Sequence, residues 1–322
     1  MTTPSSPLTT ALGIDFGGTS VKFGVVHGRQ VIDSAPAIAT DDYTEPAPLI
    51  DTIVRVIEDL RTRHPSISAI GAGVPGFVDF RTGTIHNLTN VSGWTKIPLR
   101  EILYQRVRLP VTVENDANCM AYAEWKQGAG KGMQHLLCLT LGTGVGGGII
   151  THGHMLRGAQ SLAGEAGQTS IDYQGRRGAY GNLGALEDYI GNNEIAADAR
   201  EYYLSKGTER SITDCTPAAL SKAAHEGDTI ATEIWEGIAA KLATTAVNAC
   251  WILNPEAIII GGGVAKAGAL LFTPLKEKII NQLSPAFSEN LQILPATFSN
   301  DAGIIGAASL SLEEAENSTL PA

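Results

Sequence analysis

Two glycine-rich turns in this sequence have the residue types that bind phosphate. The first, Gly17-Gly-Thr19, lies between apolar runs in residues 13–26, and the second, Gly142-Thr-Gly144, lies between apolar runs in residues 138–151. An apolar run on each side of such a turn predicts a β-hairpin, and a tip without bulky side chains lets backbone N–H groups approach an anion closely. Two such tips in one chain indicate that both bind the same polyphosphate, which points to ATP.

Other interpretations of these turns have to be weighed, since a single glycine-rich hairpin is more often only a hairpin. Gly142, Gly144 and Gly147 also satisfy the dinucleotide pattern G-x-G-x-x-G. That pattern requires a helix after the glycines, whereas residues 148–151 continue as an apolar run that is typical of a second strand. The Walker pattern G-x-x-x-x-G-K-[ST] does not occur in the sequence.

Composition limits the classes of protein that this chain can belong to. It has 322 residues, 43% of them apolar and 17% charged, with a formal net charge of −10. This length suits two domains, and the acidic balance disfavours a nucleic-acid partner. The sequence has no stretch of 18 apolar residues, so no membrane span is predicted, and its first ten residues have no signal-peptide pattern. The four cysteines are far apart without C-x-x-C spacing, so we expect buried thiols and a cytoplasmic location.

The elements that must position the two turns alternate along the chain. β-Branched apolar runs predict strands at residues 30–37, 69–74, 111–113, 136–141, 257–260 and 291–294. Helical patterns fall at residues 46–62, 99–105, 117–127, 185–190, 193–205, 216–226, 231–253, 265–282 and 302–316. This alternation predicts a mixed α/β architecture, and the repeated hairpin indicates two related lobes.

Seven short motifs occur in an order that resembles the ROK family of sugar kinases and related repressors, within the actin/Hsp70/hexokinase superfamily. They are Asp15-Phe-Gly-Gly-Thr19 with Lys22, Gly73-Val-Pro-Gly-Phe-Val-Asp79, Asn90-Val-Ser-Gly-Trp94, Glu114-Asn-Asp-Ala-Asn118, Leu141-Gly-Thr-Gly-Val-Gly-Gly-Gly148, Gly164-Glu-Ala-Gly167 and Asn254-Pro-Glu-Ala-Ile-Ile-Ile-Gly-Gly-Gly263. The resemblance implies a two-lobed, ribonuclease H-like α/β fold of the actin/hexokinase type, with the active site in the interlobe cleft. We expect an N-terminal lobe over residues 1–116, to which a C-terminal helix at 302–322 returns, and a C-terminal lobe over residues 117–301.

The resemblance also implies roles for particular residues. Asp116 is expected to be the catalytic base that accepts the proton of the sugar's primary hydroxyl, and Asn115 to bind neighbouring ring hydroxyls, with Asn90 and Gly76 also at the sugar. Without the family pattern, Asn115 and Asp116 would simply cap the following helix. Asp15 is expected to position Mg²⁺ through water, although it could also be a turn residue. The other expected ATP-binding residues are Gly17, Gly18, Thr19, Lys22, Gly142, Thr143, Gly144, Gly261, Gly262 and Gly263; Lys22 could equally be a solvated strand residue.

One departure from the family pattern concerns a structural zinc site. Aligned on its two glutamates, the segment has Gln168, Gly178, Tyr180 and Ala185 where the family has one His and three Cys. Zinc needs about four such ligands, so we predict that no zinc is bound. The loop must then be held by hydrogen bonds and packing, with Tyr180, Arg176 or Arg177 as candidates.

Both glutamates of that segment are retained, and they remain candidates to bind the sugar. Glu165 and Glu187 could each accept two hydrogen bonds from hydroxyl groups. Gln168 could replace the family's histidine near the anomeric end of the sugar, or be a bystander.

These expectations lead to a function with alternatives. An ATP-dependent hexose kinase of the glucokinase type, forming hexose 6-phosphate, is favoured. Kinases for N-acetylmannosamine, N-acetylglucosamine or fructose are the nearest alternatives, and polyphosphate could replace ATP as the donor. A sugar-sensing regulator is disfavoured, because only about ten residues precede Ala11 and leave no room for the DNA-binding helix-turn-helix of such proteins. A homodimer that forms through the helix at 231–253 is expected from the resemblance.

Overall fold

The computed structural model describes residues 9–88 and 93–319. The strands are β1 Thr10–Phe16, β2 Ser20–His27, β3 Gln30–Ala39, β4 Ala69–Val74, β5 Phe77–Asp79, β6 Thr84–Asn87, β7 Thr95–Ile97, β8 Val111–Asn115, β9 Leu136–Leu141, β10 Val145–Thr151, β11 His154–Met155, β12 Ala257–Gly261 and β13 Gln292–Pro295. The α-helices are α1 Pro46–Arg63, α2 Leu99–Val107, α3 Asp116–Gln127, α4 Glu187–Ile190, α5 Asn192–Ser205, α6 Pro217–His225, α7 Thr229–Leu253, α8 Ala269–Ile280, α9 Pro285–Ser288 and α10 Ala302–Thr319. No helix in these two ranges is long and apolar enough to cross a membrane.

The chain divides into two compact units. The first comprises the described parts of Met1–Gly128 and Asn300–Ala322 together with Arg157–Ala163, and the second comprises Ala129–Leu156 and Gly164–Ser299. Helix α3 therefore belongs with the first unit, beyond the boundary expected at residue 116. Helix α10 also belongs to the first unit, where it packs against β1, β4 and α3.

Each unit contains a five-stranded sheet, and the two sheets share one plan. Their strand orders are β3-β2-β1-β4-β8 and β11-β10-β9-β12-β13. In the first sheet β1 is antiparallel to β2 and parallel to β4, and in the second β9 is antiparallel to β10 and parallel to β12. The two glycine-rich turns thus occupy equivalent positions, each joining a central strand to its antiparallel neighbour.

Each unit has its own apolar core. In the first, α1 buries residues at helical spacing, among them Leu49, Ile53 and Ile57, against the sheet core formed by Leu12, Ile14 and other side chains. In the second, α7 buries Trp235, Ile238 and Leu242 against strand residues such as Ile258 and Ile260. Because apolar side chains fill both cores, the carboxyl ends of the parallel strands are left for polar residues.

Most of the predicted elements are found, but one predicted helix is interrupted and several short elements, among them β11 and α9, were not predicted. Strands β4 and β9 have the predicted bounds, 69–74 and 136–141. The continuous helix predicted at 265–282 is wrong, because a short 3-10 helix at Val264–Ala267 ends at Gly268, whose φ of 58° interrupts the helical backbone before α8. The small antiparallel sheet β5-β6-β7 was not predicted, since its strands have only three or four residues each.

Candidate active site

In the first unit, three parallel strands end at one edge of the sheet, and polar residues collect there. Strands β1, β4 and β8 run in the same direction, with Asp15 paired to Gly73 and Gly73 to Glu114. Asp15, at the end of β1, and the Asn115–Asp116 pair, at the end of β8, therefore lie at the same edge of the sheet. Ligands of open α/β sheets bind outside the carboxyl ends of the strands, so this edge is the candidate catalytic region of the unit.

Asp15 is held in an environment that opposes its charge. Burial raises the pKa of the Asp15 carboxyl above its ordinary value, and the Lys22 ammonium on the neighbouring strand lowers it in part. The carboxylate also faces the first turn of α10, because a Cβ at Gly303 would lie 2.9 Å from Asp15 Oδ1. The partial positive charge of a helix N-terminus favours the ionised carboxylate there.

The tip of the first hairpin is closed and fixed by backbone contacts. Gly17 N donates to Ser20 O at 2.7 Å, and Thr40 N donates to Thr19 O at 3.0 Å. Gly18 and Thr19 are exposed. The tip therefore presents its backbone and the Thr19 hydroxyl to solvent, as a phosphate cradle requires.

The junction between β8 and α3 is densely hydrogen bonded around Asp116. Asn115 Oδ1 accepts from Asn118 N at 3.1 Å, so Asn115 caps the helix, while its Nδ2 donates to Gly76 O at 3.1 Å. Asp116 Oδ1 accepts from Ala117 N at 2.8 Å. Asn115 therefore caps α3, as one interpretation of the sequence predicted. The hydrogen bond from Ala117 N orients the Asp116 carboxyl.

Two residues at this junction were missed by sequence reasoning. Glu114 is buried and accepts hydrogen bonds from Asn115 N and Asn118 Nδ2, and Arg157 Nε donates to its other oxygen at 2.8 Å. The signal for Glu114 was available, since a glutamate within a β-branched run needs a buried partner. Nothing local in the sequence marks Arg157 as that partner, because it lies 43 residues away.

In the second unit, the glycine turn and the 261–263 segment lie side by side. Strands β9 and β12 are parallel, with Thr140 paired to Gly261, so both segments emerge at the same edge of the sheet. Gly262 has a φ of 88°, and a Cβ there would overlap the Leu141 carbonyl. Only glycine fits this close approach, which places the 261–263 turn directly beside the start of the hairpin tip.

A cavity of about 420 Å³ opens beside these glycines. Besides Gly263 it is lined by Asn192, Asn193, Ala196, Ile212, Thr213, Thr216, Pro217 and Ala218. Its volume lies in the range of small-molecule sites, and its lining combines apolar groups with a few amide and hydroxyl groups. The N-terminus of α5 connects this cavity to the hairpin tip, because Asn192 N donates to Gly142 O at 2.9 Å.

The candidate sugar-binding residues of this unit form one hydrogen-bonded group with the tip. Glu187 Oε1 accepts from Gln168 Nε2 at 3.1 Å, and Glu187 Oε2 accepts from Val145 N at 2.8 Å. Burial raises the pKa of Glu165, and the nearby Glu187 carboxylate raises it further. Gln168 therefore orients one oxygen of Glu187 in this structure.

The segment that differs from the family's zinc pattern is held by hydrogen bonds. Arg176 N donates to the Tyr189 hydroxyl at 2.9 Å, and its guanidinium lies over the Tyr189 ring and donates to Asp198 Oδ1 at 2.6 Å. A β-bridge joins Ser170 to Ala185, and Asn182 Nδ2 donates to Gln168 O at 3.0 Å. Across residues 9–88 and 93–319 there is no group of three His, Cys, Asp or Glu side chains arranged to hold a metal ion.

The structure thus brings the predicted residues together in two sets. The first unit holds Asp15, Gly17, Gly18, Thr19, Lys22, Gly76, Asn115 and Asp116. The second holds Gly142, Thr143, Gly144, Glu165, Gln168, Glu187, Gly261, Gly262 and Gly263. Asn90 lies outside the described residues.

This fold is found among known proteins. The structure of a ROK family glucokinase from Streptomyces griseus, in complex with glucose and AMPPNP, matches with a TM-score of 0.81 and 29% identity, covering 94% of this chain and 99% of that one. The architecture is therefore the actin/hexokinase-like α/β fold of ROK kinases, which confirms the predicted fold class.

Sequence comparison assigns the family within that fold class. The ROK family profile matches residues 11–314, so the chain belongs to the ROK family. A glucokinase from Halalkalibacterium halodurans is 35% identical over 318 residues, covering 95% of this chain and 96% of that protein. The DNA-binding transcriptional repressor Mlc of Escherichia coli is 28% identical over 289 residues, covering 88% of this chain and 70% of the repressor.

Proposed function

We propose that this protein is a sugar kinase that transfers the γ-phosphoryl group of ATP to the 6-hydroxyl of a hexose, with glucose as the first candidate. One observation carries the proposal: a single sheet edge presents both a glycine hairpin with a partly buried carboxylate, Asp15, and the Asn115–Asp116 pair. Phosphoryl transfer needs a phosphate cradle, a cation site and a group that accepts the hydroxyl proton, and little covalent chemistry besides. The 35% identity to a glucokinase supports the same choice.

Asp116 would act as the base. Its Oδ1 already accepts from Ala117 N, so the carboxyl is held in one orientation at the start of α3. As the sugar's hydroxyl oxygen attacks the γ-phosphorus and ADP leaves, the Asp116 carboxylate would accept the hydroxyl proton. The Asn115 cap and the bond from Asn118 Nδ2 to Glu114 would keep this turn rigid, which reduces the cost of aligning the hydroxyl.

The donor phosphates would be bound by the two hairpin tips. Gly18 and Thr19 are exposed, and their backbone N–H groups would supply hydrogen bonds to phosphate oxygens without a bulky side chain in the way. A magnesium ion, when bound with the nucleotide, neutralises phosphate charge. The residues fit that ion, because Asp15 is a carboxylate whose charge is opposed by burial and would be stabilised by a cation.

The nucleoside and the sugar would be held in the second unit. The cavity beside Gly263 has the size and mixed polarity that an adenosine moiety needs. Glu165, Glu187 and Gln168 supply hydrogen-bond acceptors and donors for sugar hydroxyls. A site that binds hydroxyl groups through partly buried carboxylates discriminates against sugars that lack those hydroxyls, so these residues are the candidates that select the hexose.

A coupled ADP assay with ATP, Mg²⁺ and a panel of sugars tests this proposal. The panel contains glucose, mannose, fructose, N-acetylmannosamine and N-acetylglucosamine, with polyphosphate as an alternative donor. We expect phosphorylation of glucose, and we expect Asp116→Asn to lower kcat by about 10³-fold, the range of a general base, while sugar affinity changes little. Asp59→Asn, an exposed aspartate on α1, is the control. Undiminished turnover in Asp116→Asn would refute the assignment of the base.

A sugar-sensing regulator is the second candidate, and the match to the Mlc repressor is the observation that favours it. A regulator would bind sugar without transferring phosphate. Isothermal titration with the same sugars separates the two: sugar binding without any sugar-dependent ADP release would favour the regulator.

The proposed assembly is a homodimer that forms through α7. The C-terminal end of this helix carries Trp251 and Ile252, which are 51% and 81% exposed, so apolar surface is available there. Light scattering after size-exclusion chromatography tests this, and Ile252→Glu is expected to shift a dimer toward the monomer. A monomeric mass for the wild type would refute it.

A further inference from the structure

The segment Arg157–Ala163 leaves one unit and joins the other. Leu156 and Gly164, on either side of it, belong to the second unit, whereas the segment itself belongs to the first. Its ends are closed by a hydrogen bond from Ala163 N to Arg157 O at 2.9 Å. Ser161 is buried with a φ of 62°, a conformation that side chains other than glycine rarely adopt unless packing enforces it. The segment is therefore a specified structure rather than a passive connection.

Arg157 attaches this segment to the interior of the first unit. Its Nε donates to Glu114 Oε2 at 2.8 Å, and its guanidinium lies 3.6 Å from the centre of the Phe80 ring. The Glu114 side chain is only 2% exposed, whereas that of Arg157 is 23% exposed. A carboxylate that is so deeply buried requires a charged partner, and Arg157 supplies it.

The other contacts of Glu114 reach the residues around the proposed base. Glu114 Oε1 accepts from the backbone N of Asn115 at 2.9 Å and from Asn118 Nδ2 at 3.1 Å. These two residues flank Asp116, one before it and one within the first turn of α3. A carboxylate has two acceptor oxygens, so Glu114 can accept from Asn115, Asn118 and Arg157 at the same time.

From this chain of contacts we infer that Arg157 is a positioning residue for Asp116, acting through Glu114. The guanidinium pairs with Glu114 and holds its side chain in place, and Glu114 in turn holds the strand–helix junction that carries Asp116. The catalytic part of this inference rests on the proposed kinase activity. The structural part, the link from Arg157 to residues 114–118, does not.

Hydrogen–deuterium exchange tests the structural part whether or not the protein is a kinase. In Arg157→Ala we expect faster amide exchange confined to peptides that cover residues 111–120, because the Asn115 and Asn118 bonds loosen. The control is Arg106→Ala, which removes a more exposed arginine paired with Asp51. Unchanged exchange at 111–120, or an equal rise throughout the chain, would overturn the inference.

Kinetics test the catalytic part. We expect Arg157→Ala to lower kcat about 30-fold or more with KM for ATP within about twofold, since misplacing the base affects the transition state rather than nucleotide binding. Arg157→Lys retains a charge and should recover much of kcat, and added ethylguanidinium should partly restore Arg157→Ala. A well-folded Arg157→Ala protein with kcat within about threefold of wild type would exclude positioning. Absence of kinase activity in the wild type would instead count against the proposed function.

The double variant Arg157→Ala/Glu114→Gln separates charge compensation from positioning. Removing both charges should recover the thermal stability that Arg157→Ala loses, because no unpaired buried charge remains. Its kcat should stay low, since a glutamine does not reproduce the arrangement of acceptors around Asn115 and Asn118. Recovery of kcat to the wild-type level would mean that Arg157 only neutralises Glu114, and would overturn the positioning role.

Discussion

The two glycine hairpins occupy equivalent places in two sheets of the same plan, yet their electrostatics differ. In β1–β2, Asp15 is paired across the strands with Lys22, so the hairpin carries both a partly buried carboxylate and a cation. In β9–β10, the equivalent pair is Thr140 and Gly146, which carries no charge. The carboxylate at the second tip comes instead from α4, through the bond between Glu187 and Val145 N.

This difference suggests that the same hairpin backbone serves a cation and phosphate in the first unit and the sugar site in the second. The first hairpin has its charge built into the strand, which suits a cation that accompanies phosphate. The second has a neutral tip, and its carboxylate is shared with Gln168 of the candidate sugar site. A change at the first tip should therefore affect phosphoryl transfer, whereas a change at the second should also affect sugar binding.

Removing the charge of the first hairpin is expected to have the largest effect. Asp15→Asn should lower kcat/KM by about 10³-fold, the range for losing one preorganised electrostatic group in an active site. The matched change in the second hairpin, Thr140→Val, should change kcat/KM by less than about threefold, the size of a typical surface substitution. Steady-state kinetics with varied ATP and Mg²⁺ measure both. Comparable losses in the two variants would contradict the division of tasks.

The same substitution should stabilise the protein at neutral pH. Because burial raises the pKa of Asp15 above its ordinary value of 3.8, the ionised carboxylate opposes folding above that range. Asp15→Asn removes this penalty, so its melting temperature should exceed that of wild type at pH 7.5 without ATP or Mg²⁺. The gain should shrink as pH falls through the raised pKa, where Asp15 becomes protonated. A gain that is constant with pH would show that the charge is not its cause.

Two glycines of the second tip provide a matched pair. A Cβ at Gly144 would overlap the Glu187 carboxylate, whereas a Cβ at Gly142 would have no atom within 4 Å. Gly144→Ala should displace Glu187 from Val145 N and raise KM for the sugar about tenfold. This factor corresponds to the loss of one hydrogen bond to a charged group. Gly142→Ala should raise it by no more than about threefold. Equal effects of the two changes would argue against the link between tip and sugar site.

Substitutions of Arg176 and Arg177 test which side chain holds the loop that precedes Glu187. Arg176→Ala removes the guanidinium from the Tyr189 ring and its hydrogen bonds to Asp188 O and Asp198 Oδ1, whereas Arg177→Ala removes a 3.3 Å bond to Gly181 O. Arg176→Ala should lower the melting temperature by about 2–4 °C, equivalent to about 1 kcal/mol in a domain of this size. Arg177→Ala should have less effect. Calorimetry measures the change in melting temperature. A larger decrease in Arg177→Ala would show that Arg177, rather than Arg176, holds the loop.

The smallest expected effect is a pH dependence of sugar binding. Glu165 must be ionised to accept two hydroxyl hydrogen bonds, and burial and Glu187 raise its pKa above 4.5. KM for the sugar should therefore rise a few-fold as pH falls toward 5, the loss expected from one weakened hydrogen bond. In Glu187→Gln this rise should begin at lower pH, because one cause of the raised pKa has been removed. Measuring KM for the sugar as a function of pH in both proteins gives the difference between the pH values at which KM begins to rise.

Much of the fold could be predicted because its signals are local. The apolar runs at 69–74 and 136–141 became strands with those bounds, and the hairpin tips fell between the predicted runs. The three-residue strands of the small sheet carry too little periodicity to be recognised. The break at Gly268 could not be separated from a tolerated glycine within a helix, because only the surrounding packing decides between them.

The candidate site was only partly visible in the sequence. The residue types around Asp15, Asn115 and Asp116 indicated their chemistry, and their roles stay predictions until they are tested. Arg157, Asn192 and the cavity near Gly263 were not indicated, because their partners lie far away along the chain.

The sequence by itself determined the alternation of elements, the two glycine-rich turns and the ROK family pattern, since periodicity and turn chemistry act over a few residues. Only the tertiary structure decided which carboxylates are buried and what compensates them. Parallel pairing of β1, β4 and β8 aligned Asp15 with Glu114, and packing brought Arg157 to Glu114 and Gln168 to Glu187. Desolvation and charge compensation depend on neighbours in space, and those neighbours exist only once the chain has folded.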